Sequence, residues 1–162
     1  MCLSVYLGTD APVAGFSDVA IGAIGLDPRV GTVPTALADK AHVAVICDRV
    51  PTGWNCSCIF LDRALPWEDP EAADDPEAGA RRGAYARLRE IAAAAVALDP
   101  EALLFSCWSG DEGAATKVER ALAPAELLAD RYIFDDVHDG GSGGNPPVLV
   151  RLTGGSPCFA GS

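Results

Sequence analysis

The sequence predicts an α+β fold, a single mixed, largely antiparallel sheet packed by one long helix and one or two short ones. Three observations carry that expectation. Short runs rich in β-branched and aromatic residues recur at 2–8, 42–47, 56–61, 103–108, 131–137 and 148–153. One long window ending near Leu98 instead repeats its apolar residues at helical spacing. No internal repeat and no linker divides the chain, so 1–153 is expected to form a single α+β domain and 154–162 a flexible tail.

Taken in order, Cys-Leu-Ser-Val-Tyr-Leu-Gly at 2–8 alternates and is β-rich, which suits a strand. The stretch 12–39 is rich in Gly, Pro and small apolar residues and offers only a short strand near Val30–Val33. His42 to Cys47 is a continuous apolar run with β-branched residues, as a buried strand would be. Pro51-Thr52-Gly53 marks a turn, and Cys56 to Leu61 reads as the next strand. Residues 66–77 hold six acidic residues and no basic one, interleaved with Pro66, Pro70 and Pro76, which describes a solvated loop.

Asp75-Pro76-Glu77 fits the N-cap and first turn of the long helix, since proline suits N1 and acids suit the positive end. Tyr85, Leu88, Ile91, Ala92, Ala95 and Val96 then share one face, with Arg81, Arg87, Arg89 and Glu90 mostly on the other. Asp99-Pro100 ends it. Leu103 to Trp108 reads as a central strand, and Asp111 suits the cap of a short helix carrying Val118, Ala121 and Leu122, interrupted at Pro124. Arg131–Val137 and Val148–Thr153 are the expected closing strands, joined by the glycine-rich segment His138–Pro147.

The 162 residues carry a formal charge of −11, of which the loop 66–77 supplies six. A nucleic-acid backbone or an anionic membrane surface would repel such a chain, so neither is an expected partner. The start of the chain has no basic n-region, and the longest apolar run, Ile91 to Leu98, is too short to span a bilayer. A cytoplasmic location is expected, where thiols stay reduced, and the six cysteines are not read as a disulfide framework.

Cys56-Ser57-Cys58 is the most informative triplet. On a strand, residues i and i+2 face the same way, so both sulfurs would project from one face. Such a pair can share a soft metal, form a strained disulfide, or pack as small hydrophobes. If neighbouring strands bring Cys2 and Cys107 alongside, Cys2, Cys56, Cys58 and Cys107 form a four-thiolate set; Zn takes four such ligands, and Cu(I) two or three. Cys47 suits the core and Cys158 the tail. Asp111 and Glu112 follow the Cys107 strand directly and offer carboxylates as acid, base or ligand beside a thiol.

Elsewhere the signals are weaker. Asp135, Asp136, His138 and Asp139 form the one histidine–carboxylate cluster, without metal-ligand spacing, and an acidic loop explains them. His42, at the mouth of an apolar run, suits a structural role. No Gly-x-Ser-x-Gly elbow, P-loop or dinucleotide fingerprint is present. A cysteine directly after the initiator Met also occurs in N-terminal-nucleophile amidohydrolases, but the start here lacks their Met-Cys-Gly-Ile pattern.

Met1-Cys2-Leu3-Ser4-Val5-Tyr6, the Cys-x-Cys-x-Phe of Cys56 to Phe60, and Cys107-Trp108-Ser109-Gly110-Asp111-Glu112 together resemble a family of small bacterial proteins. Its members start Met-Cys-Leu-Ser-Ile-Tyr and carry Gly-Cys-x-Cys-Gly-Phe and Cys-Trp-x-Gly-Asp-Glu segments; the family has no assigned activity. Asn55 and Ile59 stand here where its glycines would be. The resemblance implies a site at Cys2, Cys56, Cys58, Cys107, Trp108, Asp111 and Glu112.

Three functions follow. The first is soft-metal binding, Zn or Cu(I), by Cys2, Cys56, Cys58 and Cys107. The second is a thiol redox or cysteine-nucleophile enzyme using Cys56 and Cys58, assisted by Asp111 or Glu112. The third is a non-catalytic interaction domain, with Trp54, Trp67 and Trp108 as anchors for a second copy of the chain or a basic protein partner.

Overall fold

The computed structural model of the chain describes residues 2–20, 22–49, 56–60, 76–128, 133–134 and 146–154. They form one six-stranded sheet and one long helix with short 3-10 turns, an α+β arrangement. The strands are β1 (Leu3–Thr9), β2 (Ile24–Asp27), β3 (His42–Asp48), β4 (Leu103–Trp108), β5 (Val118–Leu122) and β6 (Val148–Leu152), and the helix is α1 (Pro76–Leu98). Their order across the sheet is β2-β3-β1-β4-β6-β5. Every pairing is antiparallel except β5 with β6, which run parallel. No helix among the described residues is long and apolar enough to cross a membrane.

The sheet is buried on both faces. Leu3, Val5, Leu7, Ile46, Leu104, Val148, Val150 and Leu152 form one core with the α1 stripe of Ala84, Tyr85, Leu88, Ile91, Ala92 and Ala95. The opposite face holds Tyr6, Phe105, Cys107 and Leu149, covered by Leu37 from the 3-10 turn Thr35–Leu37. That cover sits close because β1 carries a glycine: a Cβ on Gly8 would stand 2.9 Å from a Leu37 methyl.

The helix follows its sequence pattern, with one correction. Arg81 lies four residues before Tyr85 and so falls in the buried stripe, at 9% exposure, instead of on the outer face. Arg87 reaches back over the sheet edge, its guanidinium 4.5 Å from the Phe16 ring centre, and Arg89 donates to the Leu127 carbonyl at 3.1 Å. The helix stops where expected. Asp99 accepts the N–H groups of Asp10 and Glu101, each at 2.8 Å, and pairs with the buried Lys40 ammonium at 3.1 Å. Burial pushes the Asp99 carboxyl up, but the two N–H donors and Lys40 more than reverse this and hold it below its ordinary value.

Three elements differ from the sequence expectation. The second strand lies at Ile24–Asp27 and not at Val30–Val33. Gly25 conceals it in the sequence, and the glycine is needed because a Cβ there would meet the Phe16 carbonyl at 2.5 Å. That carbonyl accepts the Leu26 N–H and so covers the outer edge of β2. Residues 118–122 form an edge strand, not a helix capped by Asp111; their burial alternates along Val-Glu-Arg-Ala-Leu as a half-buried strand's does. Of the strand expected at 131–137, Ile133 and Phe134 are buried turn residues, and the rest lies outside the described residues, as do the loop 66–75, residues 138–145 and the tail from 155.

Two core thiols give the fold a pH signature. Burial first, then Asp27 and Asp48, push the Cys47 thiol up to about 12; burial, then Glu112 and Asp111, do the same at Cys107, also to about 12. An unfolded thiol ionises near ~8.5, so above that pH the unfolded chain holds fewer protons than the folded one. The stabilisation is therefore complete below about pH 8.5 and is lost as pH rises toward the folded value. In urea titrations the unfolding midpoint of the reduced protein is expected to fall steadily above that pH. The double variant Cys47→Ala/Cys107→Ala should show a flatter alkaline limb; an equally steep one would assign the loss to other groups.

Candidate metal centre

The site grows out of a fork in the sheet. β1 pairs with β3 only from Val5 opposite Ile46 onward, whereas on its β4 side the ladder continues to Leu3 opposite Trp108. Cys47 and Asp48 at the end of β3 pair with β2 and have left β1. The gap exposes backbone groups on both lips, and buried backbone groups must find partners. Cys56 and Ser57 fill it. The Asp48 N–H donates to the Cys56 carbonyl at 3.1 Å, an isolated antiparallel bridge, and the Ser57 N–H donates to the Leu3 carbonyl at 3.2 Å. The Ser57 hydroxyl, fully buried, accepts the Val5 N–H at 2.9 Å and donates to the Ile46 carbonyl at 2.6 Å. One side chain thus spans the two lips of the fork.

Beyond Ser57 the chain does not continue as the expected strand 56–61. Cys58–Phe60 coil into a 3-10 turn, closed by the Phe60 N–H on the Ser57 carbonyl at 3.0 Å. The fork is two residues deep, and after it the chain must reach the helix. Phe60 is fully buried, meets the Tyr85 ring edge-on at 5.3 Å, and accepts the Tyr85 hydroxyl on its carbonyl at 3.1 Å. Cys58 is therefore held between an anchor in the sheet and an anchor on the helix.

This turn, not strand alternation, brings the cysteines together. The sulfurs of Cys2, Cys56 and Cys58 all lie within 4.8 Å of one another, Cys2 exposed and the other two half-buried. The Cys58 N–H donates to the Cys56 sulfur at 3.1 Å. Cys2 is placed by the continuing β1–β4 register, its carbonyl accepting the Ser109 N–H at 2.9 Å. Burial, a hydrogen bond with the Cys58 thiol and the nearness of Cys58 and Cys2 push the Cys56 thiol up to about 12, with the Cys58 N–H working against them. Three sulfurs around one ion at ~2.3 Å stand about 3.8–4.0 Å apart, so the trio is close enough to hold a metal ion after a small contraction.

Cys107 does not join them. It alternates with Trp108 along β4, and while Trp108 packs on the helix face, Cys107 lies in the opposite core at 1% exposure. Of the four sulfurs expected to converge, the three of Cys2, Cys56 and Cys58 do so. Asp111 and Glu112 also belong to the Cys107 side and do not assist Cys56 or Cys58. Asp111 is exposed in a turn, and Glu112 accepts the Tyr6 hydroxyl at 3.1 Å and the Gly110 N–H at 3.0 Å. Cys47 is a core residue, as expected; Cys158, His138 and the carboxylates around it, Trp54 and Trp67 lie outside the described residues. His42 is exposed at the far end of the sheet, beside a cavity of about 360 Å³ lined by Leu7, Thr9, Val13 and Leu26, remote from the thiols.

Ser57 and Asp48 are residues that sequence reasoning passed over. The one available signal was a hydroxyl enclosed between two cysteines in an apolar run. Replacing Ser57 with Ala removes the shared partner of a buried N–H and a buried carbonyl, and is expected to cost about 1–3 kcal/mol. Urea unfolding measures this directly, and faster amide exchange at Val5 locates it; a variant as stable as the parent, with Val5 equally protected, would mean that β1 and β3 close without the serine.

Comparison of the chain with protein-family models, with curated proteins and with solved structures finds no match.

Proposed function

We propose that the protein binds one soft metal ion, Zn or Cu(I), through the thiolates of Cys2, Cys56 and Cys58. The observation that carries this reading is the convergence of three sulfurs from two distant parts of the chain to within 4.8 Å. Thiolates select soft and borderline ions over Mg and Ca, and Cu(I) is satisfied by two or three of them. The family resemblance covers these three cysteines, together with Cys107, Trp108, Asp111 and Glu112.

Thiol chemistry is less well supported. A nucleophilic or redox cysteine needs a lowered pKa, and at Cys56 the surroundings push the other way, to about 12. A metal ion reverses that balance, because its charge replaces the protons and favours the thiolate. The carboxylates once available as acid or base lie with Cys107 and Tyr6. An interaction role draws little from the described surface, where the exposed large apolar side chains are Val33 and Leu98.

Protein purified without a metal-affinity tag under reducing conditions is expected to carry, or to take up, one equivalent of Zn or Cu(I). Cys56→Ser and Cys58→Ser should abolish uptake, and Cys107→Ser should retain it. Binding displaces thiol protons, so apparent affinity rises with pH, and with the Cys56 proton held up to about 12 in the metal-free protein the rise continues well above pH 9. A metal-free protein with no uptake of either ion, by elemental analysis and chelator competition, removes the reading. If uptake is found, chelation should lower the melting temperature, since saturation at a hundred times Kd contributes about 2.7 kcal/mol.

A further inference from the structure

Asp48 is left in a condition that the fold does not otherwise explain. Its Oδ1 is buried and has no hydrogen-bond partner among the described residues. A buried acceptor without a donor costs about 1–3 kcal/mol, more when it is charged. Among the described residues, the groups around it offer no relief. Ile24, its partner across β2, is apolar and buried, and the neighbouring Arg49 donates to the Val19 carbonyl and pairs with Asp18.

Among the described residues, the thiol centre lies across the bridge from it, while Cys47 adjoins it along β3. Asp48 stands directly opposite Cys56 in the antiparallel bridge that closes the fork. Residues so opposed send their side chains to the same side of the sheet, with Cβ atoms about 4.5–5.5 Å apart. Asp48 is outside the set of three sulfurs within 4.8 Å, so its carboxylate must turn to reach an ion they hold.

The geometry points to Asp48 as the oxygen ligand that completes a four-coordinate site with Cys2, Cys56 and Cys58, suited to a divalent tetrahedral ion of the zinc class and not to Cu(I). The inference rests on the metal reading of the three thiols and adds the identity of the ion. Zinc fills four positions with thiolate, imidazole or carboxylate ligands. With three thiolates it leaves one position and a charge of −1; Asp48 fills that position and brings the site to −2, the charge of a four-thiolate zinc centre. Cu(I) with three thiolates already stands at −2 and is fully served by soft sulfur, so Asp48 beside it would be a third, uncompensated negative charge. Loading with zinc sends the three thiol protons to solvent, and no electron is transferred.

The test uses the full chain, reduced and metal-free, titrated with Zn(II), Co(II) and Cu(I) against competing chelators, for the parent and for Asp48→Asn. Asp48→Asn is expected to weaken Zn(II) about ten- to hundredfold. It should shift the tetrahedral ligand-field bands of bound Co(II), leave the thiolate-to-cobalt charge-transfer intensity per ion unchanged, and leave Cu(I) binding undiminished. Its metal-free melting temperature should equal or exceed the parent's, because an unpartnered charge has gone; this separates lost ligation from lost folding. Asp48→Cys provides the positive control, raising the charge-transfer intensity by about one third as a fourth sulfur joins. Equal Zn(II) affinity and identical Co(II) spectra for the parent and Asp48→Asn, with the three cysteines still required, would overturn the role of Asp48 and leave a three-thiolate site. No uptake of any of the three ions by the parent would overturn both.

Discussion

The Ser57 hydroxyl, held between the Val5 N–H and the Ile46 carbonyl, is the contact on which the rest of the centre depends. β1 and β3 part at this point, and two lips of backbone would otherwise face an apolar core. The serine satisfies both lips with one oxygen, and its own backbone ties the segment to Leu3. Because Ser57 is fixed, the residues on either side of it are fixed too. Cys56 inherits its place from the bridge to Asp48, and Cys58 from the turn that carries Phe60 onto Tyr85. The centre is thus built on two rigid supports, the sheet and the helix, with only Cys2 contributed from an exposed position.

The described cysteines show how one residue type is divided by its surroundings. Cys47 and Cys107 are enclosed by apolar groups and carboxylates, which hold the proton on sulfur and leave each as a small hydrophobe. Cys56 is also held protonated, by burial first and then by the nearness of Cys58 and Cys2, whose sulfurs lie close enough to share a metal ion with it. The same nearness that opposes ionisation without an ion favours it with one. Carboxylates near a thiol do not lower its pKa here: burial pushes the Cys107 thiol up, and Glu112, engaged by Tyr6 and Gly110, adds to that push.

Much of the fold can be read from the sequence wherever an element is buried on a single pattern. The α1 stripe from Tyr85 to Ala95 repeats at helical spacing and ends at Asp99, and β1, β3, β4 and β6, at inner positions of the sheet, are mostly apolar runs rich in β-formers. The edges are harder. Ile24-Gly25-Leu26 is short and is broken by a glycine that exists for the Phe16 carbonyl, and Val118 to Leu122 is a half-exposed strand whose partner lies far along the chain. At the centre, the Cys-x-Cys pair and Cys2 are visible as candidates, but which face Cys107 takes depends on strand parity, where a single-residue shift inverts the outcome. The roles of Ser57 and Asp48 depend on the depth of the fork. That depth is set by where two ladders end, which no local pattern records.

The strand order places β1 at a junction. β2, β3 and β1 come from the first part of the chain and β4, β6 and β5 from the second, and the ladder of β1 with β4 is the seam between the two halves of the sheet. Cys2 precedes β1, while Cys56 and Cys58 come after β3. Whatever joins their sulfurs therefore draws the first half of the sheet into a closed ring of chain, with β1 as the side of the ring that faces the second half. Such a closure constrains a long segment at a single point, and its loop entropy grows only slowly with length.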